Sequence, residues 1–155
     1  MSAAQQPVSS DDRITAALAH GAVILGLWGM LIAAVIWVTQ KEKSAYVRVQ
    51  ALQAMIYQIA GLVIQLLLGL LWGLCGFGFF FLMMFGTLLS AALVEEPSHM
   101  PFPIFLNMLA PLGLFCLLIP YLLIWLGFIA YGFYGAYQVY QGRDFRYAVI
   151  GARVE

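Results

Sequence analysis

Polar and apolar residues fall in long blocks along this chain rather than in short alternations. Residues 1–10 are small and polar, 17–38 apolar, and 39–44 a short polar connection carrying Lys41, Glu42 and Lys43. Beyond it, no Asp, Glu, Lys or Arg occurs from Val49 to Val94 or from Pro97 to Gly142. Crossing a bilayer takes roughly 20 apolar residues. Residues 17–38 therefore predict a first spanning helix, and each uncharged run has room for two more. Ser10, Asp11 and Asp12 predict the helix start, because their side chains accept hydrogen bonds from free backbone N–H groups. Trp37 sits where an aromatic interface belt is expected.

Residues 45–54 mix Tyr46, Arg48, Gln50 and Gln53 with Val47, Val49 and Leu52, which predicts a short interfacial helix leading into the second span. That span carries a stripe: Gln58, Gly61, Gln65, Gly69, Gly73 and Gly76 recur every three or four residues and share one helical face. Small residues let helices approach closely and amides bond across the contact, so the stripe predicts a helix–helix interface. Gly76 and Gly78 then loosen the chain, and residues 77–94 predict a return crossing. Two acids and three prolines make residues 95–103 a loop. Residues 104–140, punctuated by Pro111 and Pro120, fit one long kinked helix or two short spans. Tyrosines crowd its end, as suits an interface, and Gly142 is a helix stop.

The pattern predicts an all-α fold: a polytopic integral membrane helical bundle of four to five transmembrane helices, with the interfacial helix before the second span. Residues 1–10 form a disordered N-terminus, 11–142 a single transmembrane domain and 143–155 a polar tail. Composition agrees, with 64% hydrophobic and 9% charged residues, against roughly 25% charged in soluble domains. Seven basic and seven acidic side chains cancel, so no charge field points to nucleic acid. Lys41, Lys43 and Arg48 flank the first loop and Arg143, Arg146 and Arg153 lie in the tail, which places both on the cytoplasmic side. Four crossings between them give five spans.

Candidate chemistry is sparse. Cys75 and Cys116 lie in apolar runs and match no metal spacing. His20 is either an axial or metal ligand or a structural histidine bonded to a glutamine or backbone carbonyl; no second ligand stands at useful spacing. Gln50, Gln53, Gln58 and Gln65 read as interhelical glue or as the lining of a polar path. Lys41, Lys43 and Arg48 suit anionic headgroups, and the string from Arg143 to Tyr147 is placed to fold back on the first loop or dock a partner. No nucleophile, base and orienting group come together.

Two segments carry a resemblance. Arg13, Leu18-Ala19-His20, the Trp-and-Lys loop, Ala51-Leu52-Gln53-Ala54 and Gln58 form one; Ala136, Tyr140, Gly142, Phe145-Arg146-Tyr147 and Gly151 form the other. Together they resemble the Tic-twenty-like bacterial membrane proteins, a domain-of-unknown-function group similar to a chloroplast import subunit. The resemblance implies a helical bundle of four spans, no cofactor, and partnership with other membrane proteins. Its polar motif residues are Arg13, His20, Gln53, Gln58, Gly142, Arg146 and Tyr147.

Three functions follow as expectations. The first is a non-enzymatic scaffold or accessory subunit of a larger complex in a bacterial inner membrane, partnered by lipid and by other subunits or copies of itself. The second is a transporter or protein-translocation channel component, lined by Gln58, Gln65 and Asn107. The third is a pigment or electron-transfer subunit using His20. The tail is expected to close the bundle, with Arg146 and Tyr147 against Gln50 and Gln53.

Overall fold

The structure, a computed structural model, describes residues 8–93 and 102–148, and every regular element among them is helical. Residues 1–7, the loop around Glu95 and the end of the tail lie outside it. The elements are α1 (Ser10–Gly21), a 3-10 turn (Ala22–Leu25), α2 (Leu27–Gln40), α3 (Ala45–Leu93) and α4 (Phe102–Tyr140).

The apolar run 17–38 does not make one spanning helix. It breaks at Gly26, whose φ of 57° and ψ of −121° suit glycine and little else. α1 and α2 fold back on each other as a tight hairpin. Ala22 faces Gly29, Ala19 and Ala33 share one buried cluster, and Ile36 packs against the cluster holding Ala16. These pairings nest as antiparallel helices require. A Cβ on Gly29 would overlap the carbonyl oxygen of Ala22, so the close approach depends on that glycine. Twelve residues of α1 reach only about 18 Å, short of a bilayer core of roughly 30 Å.

Local chemistry sets the boundaries. Ser9 caps α1, its Oγ accepting from the Asp12 N–H at 3.1 Å, and Ser44 accepts from the Val47 N–H at 3.3 Å at the start of α3. Gly142, at φ 79°, ends α4: its N–H donates to the Val139 carbonyl at 2.8 Å and the Arg143 N–H to the Gln138 carbonyl at 3.1 Å. That pair of bonds is a Schellman stop, as the sequence predicted for Gly142.

α3 runs through Gly76 and Gly78 to Leu93 without the expected turn. In hydrocarbon an interrupted helix leaves backbone groups unbonded, which costs more than a glycine's helix propensity. α4 likewise continues through Pro111 and Pro120. Among the described residues, two helices are therefore long and apolar enough to cross a membrane, within Ala45–Leu89 and Leu118–Tyr140. None of the most apolar stretch of the first is buried; a soluble protein would hide such a helix. Leu66, Leu70, Leu74, Phe77 and Phe85 are all exposed, a surface suited to lipid. The chain is an integral membrane helical protein.

The chain divides into two units. One comprises Met1–Ile64 and Leu126–Glu155, the other Gln65–Trp125. The first contains the buried core and the polar residues discussed next.

Candidate functional site

The core of the first unit is built from small residues. Ala16, Ala19, Ala33, Ala51 and Ala54 are fully buried, so the hairpin lies tightly on the start of α3. Against this packing stand, among the described residues, four buried polar side chains: His20, Gln50, Gln53 and Gln58. Burying such groups unpaired costs about 1–3 kcal/mol each, so their partners define what the site is.

The tail supplies partners for two of them, His20 and Gln50. The Schellman stop turns the chain back after Tyr140, and Tyr46 fastens the turn by donating from its hydroxyl toward the Arg143 carbonyl, 3.1 Å away. Asp144 then reaches Gln50, whose Nε2 donates to Oδ1 at 3.0 Å. A carboxylate only accepts, so Gln50 must present its amide nitrogen to Asp144 and its oxygen to His20. His20 Nε2 lies 3.2 Å from that oxygen and therefore carries the proton. Nδ1 is left as an acceptor, and the Tyr147 hydroxyl donates to it at 2.8 Å. One surface carboxylate thus sets an amide orientation, a histidine tautomer and a phenol's direction in sequence. Arg146 closes the outer end through Asp144 Oδ2 at 3.2 Å. This last pair is half exposed and contributes little.

Burial lowers His20, which lies in α1 outside both candidate spans, from 6.5 to about 4, while its bond to Gln50 raises it. Burial pushes the Tyr147 phenol above its usual range, and Tyr57 and Tyr131 push the same way. Both groups are therefore neutral at physiological pH.

Aromatic rings pack around the pair. Tyr57 stacks on Tyr147 with centroids 4.1 Å apart and on Phe128 at 4.2 Å. Phe145 meets both His20 and Tyr147 edge-on. Tyr57 also donates to the Phe128 carbonyl at 2.7 Å, tying α3 to α4.

The residues singled out in the sequence are distributed unevenly. His20 and Tyr147 meet directly, and Arg146 joins them through Asp144 and Gln50. Arg13 donates from Nε to the Val8 carbonyl at 3.1 Å, and its guanidinium lies beside Gly142, where a Cβ would come within 2.9 Å. Gln58 donates to the Ala19 carbonyl at 2.9 Å, holding α3 to the hairpin. Gln53 is fully buried, and neither amide atom has a protein partner. In the stripe, the Phe128 ring covers Gly61, whereas around Gly69 and Gly73 nothing approaches within 4 Å of a built Cβ. Gln65 and Gly76 are partly exposed, and the Asn107 side chain lies outside the described residues. Asp144, Tyr57, Phe145 and Gly26 carry the site without having been assigned these roles. The unbroken apolar run hid the break at Gly26, and Asp144 and Phe145 stood only within the string from Arg143 to Tyr147 that was placed to fold back on the first loop or dock a partner.

These features define a small helical membrane protein whose tail is clasped onto its N-terminal hairpin by a buried polar chain. The chain belongs to the magnetosome magnetite crystal formation protein family, whose model matches residues 11–154. No curated protein and no solved structure matches it. The family match corrects the resemblance to Tic-twenty-like proteins. It takes in the hydrophobic middle as well as both ends, whereas that resemblance rested on two segments at the ends of the chain. In this fold those positions are largely clasp and capping residues, which report how a tail is held rather than what the protein does.

Proposed function

We propose that this protein is a non-enzymatic accessory subunit in magnetite crystal formation, seated in a bacterial inner membrane or in the magnetosome's own membrane. The carrying observation is the family match across residues 11–154. The exposed apolar faces of α3 and α4 support a role inside a membrane, in contact with lipid and other membrane proteins. Both ring nitrogens of His20 are engaged within the protein, which disfavours its use as an axial ligand.

In this reading α3 and α4 each cross the bilayer, while the α1–α2 hairpin enters and leaves on one side. That gives two crossings rather than four or five. The 41–43 turn and the tail share a face, since Tyr46 and Gln50, just beyond the turn, bond Arg143 and Asp144. The positive charge of Lys41, Lys43, Arg143 and Arg146 supports a cytoplasmic side for that face.

The experiment is removal of this chain from a magnetite-forming cell, with crystal number and size measured by electron microscopy. Altered crystals restored by the wild-type chain are expected, and unchanged crystals would overturn the role. Cysteine labelling at Lys41 and Ala148 from each side of the membrane checks the topology. Both positions should label from the cytoplasmic side only.

A further inference from the structure

A tyrosine whose hydroxyl donates to a buried neutral imidazole can be oxidised by one electron without creating a stranded charge. The electron leaves the ring while the proton crosses one hydrogen bond. Several features of the first unit meet that requirement together. The Tyr147 hydroxyl and His20 Nδ1 are 2.8 Å apart, and both residues are shielded from water, at 2% and 1% exposure. The Asp144–Gln50 relay leaves Nδ1 as the acceptor. It also places a carboxylate on the far side of Gln50 from the imidazole, where it fixes the amide without taking the proton itself.

An electron path is present as well. Tyr131 meets Tyr147 edge-on with centroids 5.4 Å apart, and Tyr134 stacks on Tyr131 at 6.4 Å. Tyr134 is half exposed on the surface of α4, and Tyr57 stacks on Tyr147. A ring ladder therefore runs from a phenol accessible at the surface to the one phenol that has an internal base. A structural clasp needs only the hydrogen bond; the ladder and the fixed tautomer are additional to it.

We propose that Tyr147 and His20 form a redox-active pair that accepts oxidising equivalents entering through Tyr134 and Tyr131, the oxidant being a peroxyl radical at the membrane surface. The step balances. The peroxyl radical gains one electron and, with a proton from water, becomes a hydroperoxide, leaving a hydroxide that the proton released by the restoring thiol later neutralises. Tyr147 loses one electron, its O–H bond breaks, and an N–H bond forms on His20 Nδ1. The products are a neutral tyrosyl radical and an imidazolium. A thiol or other one-electron reductant restores the phenol as the proton returns. Burial keeps phenolate from forming beforehand, so electron and proton leave together. The pair does not depend on the role in crystal formation proposed above.

The test uses the full chain in detergent or vesicles, oxidised by photogenerated tris(bipyridine)ruthenium(III) and followed by electron paramagnetic resonance. The wild type is expected to give a long-lived tyrosyl signal whose formation slows at least two-fold in deuterated water. Pulsed spectra should show coupling to an exchangeable proton and to an imidazole nitrogen. Tyr147→Phe keeps the ring stack and should abolish that signal. In vesicles with an azo initiator, the wild type should delay lipid peroxidation and Tyr147→Phe should not. An unchanged signal in Tyr147→Phe would overturn the assignment. The pulsed spectrum of the wild type decides independently of whether that variant folds: a radical without imidazole nitrogen coupling defeats the pairing. A radical with it but no delay of peroxidation defeats the peroxyl assignment.

Discussion

His20 Nδ1 accepts a 2.8 Å hydrogen bond from the hydroxyl of Tyr147, a residue 127 positions further along the chain. Each is the other's buried partner at that bond, and the two come from opposite ends of the described chain. Replacing Tyr147 with Phe keeps the stack on Tyr57 but leaves Nδ1 without a donor. The expected cost is about 1–3 kcal/mol, read as a lower unfolding midpoint in detergent and faster proteolysis of the tail. His20→Leu should cost more, because it strands both the Tyr147 hydroxyl and the Gln50 carbonyl oxygen. Equal stability of the variants and the wild type would show that the clasp does not hold the tail.

Asp144 governs the pair from a distance. Its carboxylate compels Gln50 to donate, and that choice fixes the His20 tautomer. Asp144→Asn keeps the shape but can either donate or accept, so Gln50 loses its enforced orientation. Nitrogen-15 shifts of His20 should report a neutral ring protonated at Nε2 in the wild type. The substitution should give a mixture of tautomers, with a stability loss of about 1 kcal/mol. A wild-type ring protonated at Nδ1 would reverse the deduced direction of every bond in the chain.

Much of the local structure was legible in the sequence, because local signals come from adjacent residues. The helix start near Ser10, the polar turn at Lys41 and the stop at Gly142 are each written within a few positions. The break at Gly26 was obscured: an unbroken apolar run of spanning length says how hydrophobic a segment is, not whether it doubles back. The continuity of α3 past Gly76 was misread for a related reason, since glycine weakens a helix in water far more decisively than in lipid. Tyr147 and His20 were both singled out, yet their bond was not, because no periodicity links residues so far apart. The expected contact of the tail with Gln50 is present, but Asp144 makes it.

Glycines at two kinds of position should respond differently to alanine. At Gly29 the added Cβ meets the backbone of Ala22, which no rotamer change relieves. The hairpin should open at a cost above about 3 kcal/mol, beyond the usual range for overpacking. At Gly61 the obstacle is the Phe128 ring, so Gly61→Ala should be partly rescued by Phe128→Leu. A double-mutant cycle on thermal stability measures the coupling. Additive effects would mean that the ring does not set the spacing of α3 and α4 there.

Gly69 and Gly73 have free space around them, so Gly69→Leu and Gly73→Leu should leave the fold of the chain intact. If the stripe packs against another protein, these changes should reduce the native mass of the complex or the set of co-purifying chains. Unchanged mass and partners would remove the outer part of the stripe from the list of interfaces, leaving Gln58 and Gly61 as intramolecular contacts alone.

Acidity should loosen the tail, and the direction follows from His20. Burial lowers it to about 4 in the folded protein, against 6.5 when exposed. The unfolded chain therefore takes up the proton more readily. The neutral ring's contribution to stability is fully present above pH 6.5, is lost as the pH falls toward 4, and changes no further below that. The shift corresponds to on the order of 3 kcal/mol across the window. Protonation puts a hydrogen on Nδ1, where Tyr147 now donates, so the hydroxyl must turn away and the buried imidazolium loses that bond. Thermal unfolding in detergent between pH 7.5 and 4 should show a falling midpoint for the wild type and a flatter profile for His20→Gln, which keeps a polar side chain that does not titrate. Parallel profiles for the two proteins would assign the acid sensitivity to the surface carboxylates and free the clasp of any pH dependence.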